Sequence, residues 1–389
     1  MGDSPEGLLD RVCDLVAGRI DAGRIAAAKR RQADMFALRP SDSIPIVLGA
    51  AVPEAAGLPD FDWAEQFHDP AKSLYVQLRD DVLPRLAAGG DYVPAVRADT
   101  GVVNCMTVFG AEYVVPTYTK PVVTRYVPKE ALAEFEVPAD VSGLGCLPIM
   151  VEHMEHHRAA LREHGLWEQV RLIHCDQQGP FDIAAQARGH DIFIDLYEDP
   201  AFVHALMAKC AAVYVAVSRL CKAYAPSPMA GGAGGGYWMD NGTVRMCGDS
   251  DILISPDHHR EFVAPYQQRA LGAMGGGWLH YCGGMPGFKR QEGLHLHAIY
   301  AGIDGLRGLN WTTAGDWIGE MRRLARLGLC HVGTVPRGEG ETLAGYFRRV
   351  LSPYPRRTGL VFEGPGLRDG EADRAVDVWR EVQDEVYGR

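Results

Sequence analysis

A histidine and a cysteine lie two residues apart in the apolar stretch 278–282, which two glycines follow. The stretch predicts a buried strand, and side chains at positions i and i+2 of a strand point to the same face. An imidazole and a thiol on one face are ligands that zinc accepts. His280 and Cys282 are therefore candidate metal ligands, although a packed cysteine beside a hydrogen-bonded histidine would show the same pattern.

Polar residues also follow several other apolar stretches of the chain. They are Arg97, Asp176, Gln178, Asp249, Asp251, Asn310 and Glu363. Burying a charge without a partner costs several kcal/mol, so a core would not carry this many without a purpose. We predict that Asp176, Asp249 and Asp251 are catalytic. Arg97, Gln178 and Asn310 are predicted to bind the substrate.

Structural roles are the alternative for most of these residues. Arg97, Asp176 and Asn310 could equally buttress the site as hydrogen-bond partners. Asp249 and Asp251 could cap the helix whose start is predicted at Ser255 and Pro256.

Strands and helices alternate along most of the chain. Apolar strand patterns fall at residues 171–175, 244–247, 278–282, 305–310, 329–335 and 359–363, with helical patterns between them. This alternation favours parallel strands joined by crossover helices, and a (β/α)8 barrel is the most economical arrangement. In that fold the functional groups come from the carboxyl ends of the strands. We predict a barrel over residues 91–389, with residues 1–90 packed on it as an extension of helices and a strand.

Composition narrows the classes of partner. The net charge of −11 argues against nucleic acid or an anionic membrane as the main partner. Nine scattered cysteines without a close pair favour reduced thiols, and the N-terminal residues lack the apolar core of a signal peptide. No apolar run approaches the roughly 20 residues of a membrane span. We therefore expect a cytoplasmic protein, and a homodimer is one assembly to consider.

Several collinear motifs lie at residues 91–97, 109–112, 178–181, 195–200, 253–257, 260–265 and 280–283. Together they resemble the uroporphyrinogen decarboxylase superfamily, and specifically its branch of corrinoid-dependent methyltransferases. The resemblance runs from about residue 44 to the C-terminus and implies a TIM barrel. In the methyltransferase branch the His-x-Cys pair supplies two zinc ligands, and a cysteine near the last strand supplies a third.

The sequence departs from this family pattern in two places. The decarboxylase carries an Arg-Gln-Ala-Gly-Arg run after its first strand, whereas residues 49–53 here are Gly-Ala-Ala-Val-Pro, so porphyrinogen decarboxylation is not expected. The third zinc ligand is missing, because Pro365 stands where the cysteine is expected. Glu363 is our predicted substitute, with Cys330 or an aspartate as alternatives.

The resemblance implies a methyltransferase that moves a methyl group between a corrinoid-binding protein and a thiol or a tetrahydrofolate-type molecule, with zinc and a methyl-corrinoid as cofactors. Two other hypotheses stay open. One is a metal-independent, decarboxylase-like lyase that acts on a carboxylated small molecule. The other is a family member without catalytic activity.

Overall fold

The structure is a computed structural model that describes residues 4–226, 229–232, 235–283, 293–364, 367–368 and 370–388. Its strands are β1 (Ile46–Val47), β2 (Ala95–Arg97), β3 (Glu112–Val114), β4 (Val122–Arg125), β5 (Arg171–Ile173), β6 (Met229–Gly232), β7 (Gly235–Trp238), β8 (Val244–Cys247), β9 (Gly277–Tyr281), β10 (Leu306–Trp311), β11 (Cys330–Gly333) and β12 (Leu360–Glu363).

The helices connect and cover these strands. They are α1 (Pro5–Ala17), α2 (Ala22–Phe36), α3 (Trp63–His68), α4 (Pro70–Gln77), α5 (Leu83–Ala88), α6 (Asn104–Val108), α7 (Lys129–Glu134), α8 (Leu147–Glu163), α9 (Pro180–Arg188), α10 (Ile192–Glu198), α11 (Pro200–Tyr224), α12 (Pro256–His258), α13 (Ala264–Ala273), α14 (His297–Tyr300), α15 (Trp317–Arg326), α16 (Leu343–Leu351) and α17 (Ala372–Tyr387). Short 3-10 turns span Pro53–Ala55, Gly189–Asp191, Asp251–Leu253 and Leu294–Leu296, and π turns span Leu78–Val82 and His259–Val263.

Eight parallel strands have the order of a (β/α)8 barrel. Six of them form one sheet in the order β1-β12-β11-β10-β9-β8, and β2 pairs with β5 in a second, two-stranded sheet. The strands are buried on both faces, as parallel strands between helices are; all four residues of β8 and of β11 are buried. The predicted α/β barrel class is confirmed, although the two sheets do not join into one continuous ladder.

A few backbone hydrogen bonds span the two gaps between these sheets. At the first gap the backbone N–H of Asp91 donates to the carbonyl of Ile46 at 2.7 Å. At the second gap Cys247 N–H donates to the Gln177 carbonyl at 3.1 Å, and Gly179 N–H donates to the Cys247 carbonyl at 2.7 Å. These bonds hold β5 beside β8, which brings their carboxyl ends to the same side of the barrel.

The N-terminal segment, which was predicted to pack on the barrel as an extension, contributes a strand to it. Strand β1 pairs in parallel with β12, so the first barrel strand precedes the boundary predicted at residue 90. Helix α17 supports β1, because the Gln383 side chain accepts the Ile44 N–H at 2.7 Å. Helix α2 joins the barrel too, through a 2.8 Å bond from the Gln32 amide to the Asp91 carbonyl.

A glycine-rich hairpin packs against the barrel between β5 and β8 in the chain. Strands β6 and β7 are antiparallel, and the N–H of Trp238 donates to the Gln32 side chain at 2.8 Å. The hairpin carries Tyr237 to the aromatic ring of Trp278 on β9, at a centroid distance of 5.5 Å. It thus brings a phenol to the barrel strands from a distant part of the sequence.

Helix α11 is the longest helix of the described chain and the most apolar one by composition. Its 25 residues are long and apolar enough to cross a membrane by length and composition, but 56% of its most apolar window is buried within the protein. Its side chains pack against neighbouring elements; Ser218, for example, donates to the buried Gln177 side chain at 2.8 Å. Such burial is typical of a core helix of a barrel.

Candidate functional site

Three potential metal ligands meet at the carboxyl ends of β8 and β9. Within the described residues, Asp249, His280 and Cys282 form the one group of three such side chains whose ligand atoms lie within 4.8 Å of one another. The Sγ atom of Cys282 is 3.4 Å from Nε2 of His280, and that nitrogen is 3.9 Å from Oδ1 of Asp249. We refer to these three side chains as the metal cluster.

Strand register brings the cluster together. Cys247, the last residue of β8, pairs with His280 of β9, and Gly248 N–H donates to the His280 carbonyl at 2.8 Å. The chain then turns, and Asp249 accepts the Cys282 N–H through Oδ1 at 2.6 Å. His280 and Cys282 therefore point to the same side, as the strand pattern predicts. The loop after β8 supplies Asp249 as the third group.

Asp182 at the start of α9 holds the Asp249 loop in place. Its carboxylate oxygens accept the backbone N–H groups of Asp249 at 2.9 Å and of Ser250 at 2.6 Å. Burial, followed by the charges of Asp249 and Asp251, raises the pKa of Asp182 well above its usual range. Because this carboxyl is buried in α9, the position of Asp249 depends on the helix that follows β5.

Cys282 differs from the other cysteines in its exposure. All nine cysteines are free thiols, and Cys282 is the exposed one while the other eight are buried. Partial desolvation of its sulfur, reinforced by the neighbouring Asp249, raises the pKa of Cys282 to about 12. The thiol is therefore protonated at neutral pH unless a bound cation displaces the proton.

The donor set of the cluster fits zinc. One carboxylate oxygen, one imidazole nitrogen and one sulfur are ligand types that zinc accepts. Bonds of about 2.0–2.3 Å in a tetrahedral arrangement put neighbouring ligand atoms roughly 3.3–3.8 Å apart. The separations of 3.4 Å and 3.9 Å around His280 Nε2 lie close to that range. Three protein ligands leave a fourth position for a substrate atom.

Glu363, the predicted third ligand, lies outside the metal cluster. It ends β12, and one of its carboxylate oxygens accepts a hydrogen bond from the Tyr237 hydroxyl. Burial raises the pKa of Glu363, which favours the neutral acid. The alternative ligand Cys330 is buried, and its thiol faces the His331 carbonyl at 3.4 Å. Pro365 lies outside the described residues.

Asp176 and Arg97 form an ion-pair chain rather than a free acid and a free base. The Asp176 carboxylate pairs with Arg245 and also lies 3.6 Å from Arg97, and Arg97 donates to Asp99 at 2.9 Å. Burial raises the pKa of Asp176, but the charges of Arg245 and Arg97 outweigh burial and lower the pKa to about 2. At neutral pH this carboxylate is therefore a counter-ion.

Arg97 also lines a small cavity at the end of β2. The cavity measures about 260 Å³, and its wall includes Asp99, Lys120 and Trp63. Lys120 lies 3.2 Å from Asp99 and above the Trp63 ring at 5.1 Å from its centroid. The predicted substrate-binding role of Arg97 is compatible with this position and remains a prediction.

The remaining predicted site residues have other surroundings. Asp251 is fully buried and accepts hydrogen bonds from Gln267 at 2.7 Å and Tyr300 at 2.9 Å, with His259 at 3.2 Å. These bonds link it to α13 and α14, away from the cluster. Gln178 is buried between β5 and β8, where its backbone forms an isolated parallel β-bridge with Cys247.

Asn310 is in contact with the metal cluster. Its side-chain oxygen faces Nδ1 of His280, the nitrogen opposite the one that faces Cys282 and Asp249.

The alternative role of Asp249 and Asp251 as helix caps is not seen. The Ser255 hydroxyl accepts the His258 N–H at 3.1 Å instead, and α12 begins at Pro256, as the sequence predicts.

The sequence interpretation missed three residues that shape the site. Arg245 is a charged residue inside an apolar strand, and that exception in the pattern could have indicated its role. Asp182 and Tyr237 act through contacts with residues 67 and 126 positions away, respectively. No local pattern identifies such pairs.

The fold and the site together define an α/β-barrel protein with a candidate metal centre at the carboxyl ends of its strands. The family model of uroporphyrinogen decarboxylase (URO-D) matches residues 39–323, which is more than half of the chain. The chain therefore belongs to the uroporphyrinogen decarboxylase family.

A methyltransferase from Methanosarcina mazei has a similar structure. The two structures superpose with a TM-score of 0.64 at 16% sequence identity, and the match covers 92% of this chain and 98% of that chain. At this identity the similarity establishes the fold. No curated protein sequence matches the chain.

Proposed function

We propose that this protein is a methyltransferase that moves a methyl group between a corrinoid held by a partner protein and a thiol or a tetrahydrofolate-type molecule. The observation that carries the proposal is the metal cluster, in which an exposed cysteine, a histidine and an aspartate converge at the barrel mouth. The structural similarity to a protein described as a methyltransferase supports the same class of reaction.

Asp249, His280 and Cys282 would hold zinc in this proposal. A bound zinc ion stabilises the thiolate of a substrate thiol, which is the nucleophilic form. The side chains around the cluster have positioning roles: Asp182 fixes the Asp249 loop, and the Thr312 hydroxyl accepts the Gly283 N–H at 3.1 Å. A second threonine, Thr313, donates to the Gly283 carbonyl at 2.7 Å and fixes the chain after Cys282 from the other side.

If the acceptor is a thiol, its sulfur would form a bond to the methyl carbon while the carbon–cobalt bond breaks. The electron pair of the breaking bond would stay with the corrinoid. Such an in-line displacement requires donor and acceptor to approach from opposite sides of the methyl group, so the main contribution of the barrel mouth is orientation. The ion-pair chain of Asp176, Arg97 and Arg245 supplies a fixed polar wall beside the cluster.

A groove next to the site supports the proposal that a partner protein docks on this molecule. Its volume is about 330 Å³, and Val122, Tyr126, Phe193 and Leu253 line it together with Ser250, which directly follows Asp249. Three of these side chains are exposed apolar groups: Val122, Tyr126 and Leu253. Exposed apolar surface of this kind marks sites of protein association. We call this surface the mouth groove and propose that the corrinoid-binding protein docks there.

Methyl transfer from free methylcobalamin tests the proposed reaction. The zinc-loaded protein is mixed with methylcobalamin and either 2-mercaptoethanol or tetrahydrofolate, and the methylated product is identified by mass spectrometry. We expect transfer to one of these acceptors, and a loss of at least about 100-fold in rate for Cys282→Ala, because a ligand is removed. Cys330→Ala is the matched control and should retain the rate. Absence of transfer to both acceptors would exclude the proposal.

A decarboxylase-like lyase is the second candidate. The observation in its favour is that two guanidinium groups, those of Arg97 and Arg245, lie at one carboxylate, where they could also bind a carboxylated substrate. Such a reaction would not need the metal cluster. Release of carbon dioxide from carboxylated small molecules, unchanged in Cys282→Ala, would favour the lyase over the methyltransferase.

A further inference from the structure

Asn310 occupies the position opposite His280 in the ladder between β9 and β10. Its side-chain oxygen faces Nδ1 of His280, and its side-chain nitrogen donates to the Val332 carbonyl of β11 at 2.6 Å. The amide therefore links three neighbouring strands through one side chain. Asn310 is half-buried, and both polar ends of its side chain have a partner, which fixes the orientation of the amide.

A glycine on the third strand makes room for this amide. A Cβ atom at Gly333 would lie 2.2 Å from Nδ2 of Asn310, and Gly333 has a φ of +124°, a conformation that other residues rarely adopt. A side chain at position 333 would therefore collide with the Asn310 amide. The glycine leaves the space that this amide occupies.

Hydrogen-bond valence then determines the tautomer of His280. A backbone carbonyl can only accept, so the group that Asn310 presents to Val332 must be its NH2, and the group that faces His280 must be its oxygen. An amide oxygen accepts, so Nδ1 of His280 must carry the proton. In the neutral ring, Nε2 is then left with a free lone pair directed towards Cys282 and Asp249.

We propose that Asn310 is a positioning residue that fixes the Nδ1–H tautomer of His280 and so sets the metal affinity of the cluster. This assigns Asn310 a role other than substrate binding, and it rests on the proposed function only for the identity of the metal. A histidine with its proton on Nε2 cannot offer that nitrogen to a metal. Without Asn310 the ring is free to rotate and to exchange tautomers, and both lower the affinity.

The test compares three variants in two measurements. Asn310→Leu removes both hydrogen bonds at similar volume, Asn310→Asp keeps an acceptor for Nδ1–H, and Asn241→Leu is the control. Asn241 is another half-buried asparagine, and its amide donates to the Phe36 carbonyl at 3.3 Å, away from His280. The first measurement is the 15N chemical shifts of the His280 ring in metal-free protein, assigned with His280→Gln. The second is the zinc dissociation constant, from competition with a chelator.

We expect the Nδ1–H tautomer in the wild type, in Asn310→Asp and in Asn241→Leu, and its loss in Asn310→Leu. The zinc dissociation constant should rise by about 10–100-fold in Asn310→Leu, the usual effect of removing a partner of a metal-binding histidine, and stay within about tenfold in the other two. An unchanged tautomer and affinity in Asn310→Leu would overturn the inference. If the wild type binds no zinc, the metal centre of the proposed function is wrong, and the tautomer of the metal-free protein still decides whether Asn310 orients His280.

Discussion

Asp176 shows at the level of single residues how the barrel mouth combines stability with site geometry. Its carboxylate is 11% exposed and is shared between Arg245 and Arg97, which are 5% and 8% exposed. Removing one partner of a buried ion pair leaves an uncompensated charge, whereas the intact pair contributes little by itself. The residue is therefore needed more for keeping two guanidinium groups in place than for proton transfer.

We predict that Asp176→Asn destabilises the protein by about 3–5 kcal/mol, because two buried guanidinium groups lose their shared counter-ion. The free energy of unfolding in urea measures this effect. Asp191→Asn is the matched control: its carboxylate is 61% exposed and pairs with Arg188 at 2.9 Å, so its loss should cost less than about 1 kcal/mol. Equal effects of the two substitutions would contradict the description of Asp176.

The sequence predicted part of the site at this scale. His280 and Cys282 could be identified because strand geometry places positions i and i+2 on one face. The prediction of Glu363 used the same principle and placed it at the end of the last strand, where the structure also has it. The hydrogen bond from Tyr237 could not be foreseen, because it depends on a hairpin that no local pattern places against the barrel. Asp249 was assigned to catalysis, with an aspartate left open as the third ligand.

Strand β11 contains a buried histidine without a hydrogen-bond partner among the described residues. Its four residues are buried, and one of them is His331, whose ring centroid lies 4.6 Å from that of Trp311 and 6.5 Å from that of Trp317. Neither ring nitrogen has a hydrogen-bond partner among the described residues. Burial lowers the pKa of His331 to about 3. The strand thus contains a neutral histidine in an apolar layer.

This histidine makes the strand sensitive to acid. Above pH of about 6.5 the ring is neutral in both the folded and the unfolded chain. As the pH falls below that value, the unfolded chain binds a proton that the folded chain excludes, so stability is lost progressively down to the folded pKa of about 3.

We predict that His331→Phe removes this dependence. Between pH 7.5 and pH 5.0 the unfolding free energy of the wild type should fall by about 2 kcal/mol more than that of the variant. Each pH unit below about 6.5 costs the wild type roughly 1.4 kcal/mol. Urea titrations of both proteins at the two pH values measure the difference. If the difference between the proteins were the same at both pH values, His331 would not have the lowered pKa.

The strand positions could be predicted because buried parallel strands are continuous apolar runs bounded by glycines and polar residues. The helix start at Ser255 and Pro256 followed from capping chemistry in the same way. A strand was predicted among residues 1–90, and β1 is that strand, but its partner β12 lies more than 300 residues away in the chain. The boundary predicted at residue 90 therefore separated a strand from its own barrel.

At the scale of the whole molecule, exposed apolar side chains are concentrated on the segments that form the mouth groove. They are Val114, Tyr118, Val122, Tyr126, Ile194, Tyr197 and Leu253, while Leu38 and Val386 lie on other segments. Charged side chains of both signs, such as Glu112 and Arg125 on the β3–β4 hairpin, accompany them. With a net charge of −11, this surface suits a protein partner better than a polyanion.

We predict that Leu253→Asp slows methyl transfer from a corrinoid-binding protein but not from free methylcobalamin. A charge in the mouth groove opposes docking of a protein, whereas a free cofactor does not need that surface. Val386→Asp is the control, because Val386 is exposed to a similar extent, 38% against 49%, on helix α17. Rates with both donors would be compared, and an equal loss with both in Leu253→Asp would contradict the docking role.

Zinc content tests the central claim most directly. The wild type, Asp249→Ala, Cys282→Ala and Glu363→Gln are purified, supplied with zinc, dialysed and measured by elemental mass spectrometry. We predict close to one zinc ion per chain in the wild type and in Glu363→Gln, and loss of most of the zinc in Asp249→Ala and Cys282→Ala, because three protein ligands form such a site. Full zinc retention in both Asp249→Ala and Cys282→Ala, or a wild type without zinc, would contradict the metal centre on which the proposed function rests.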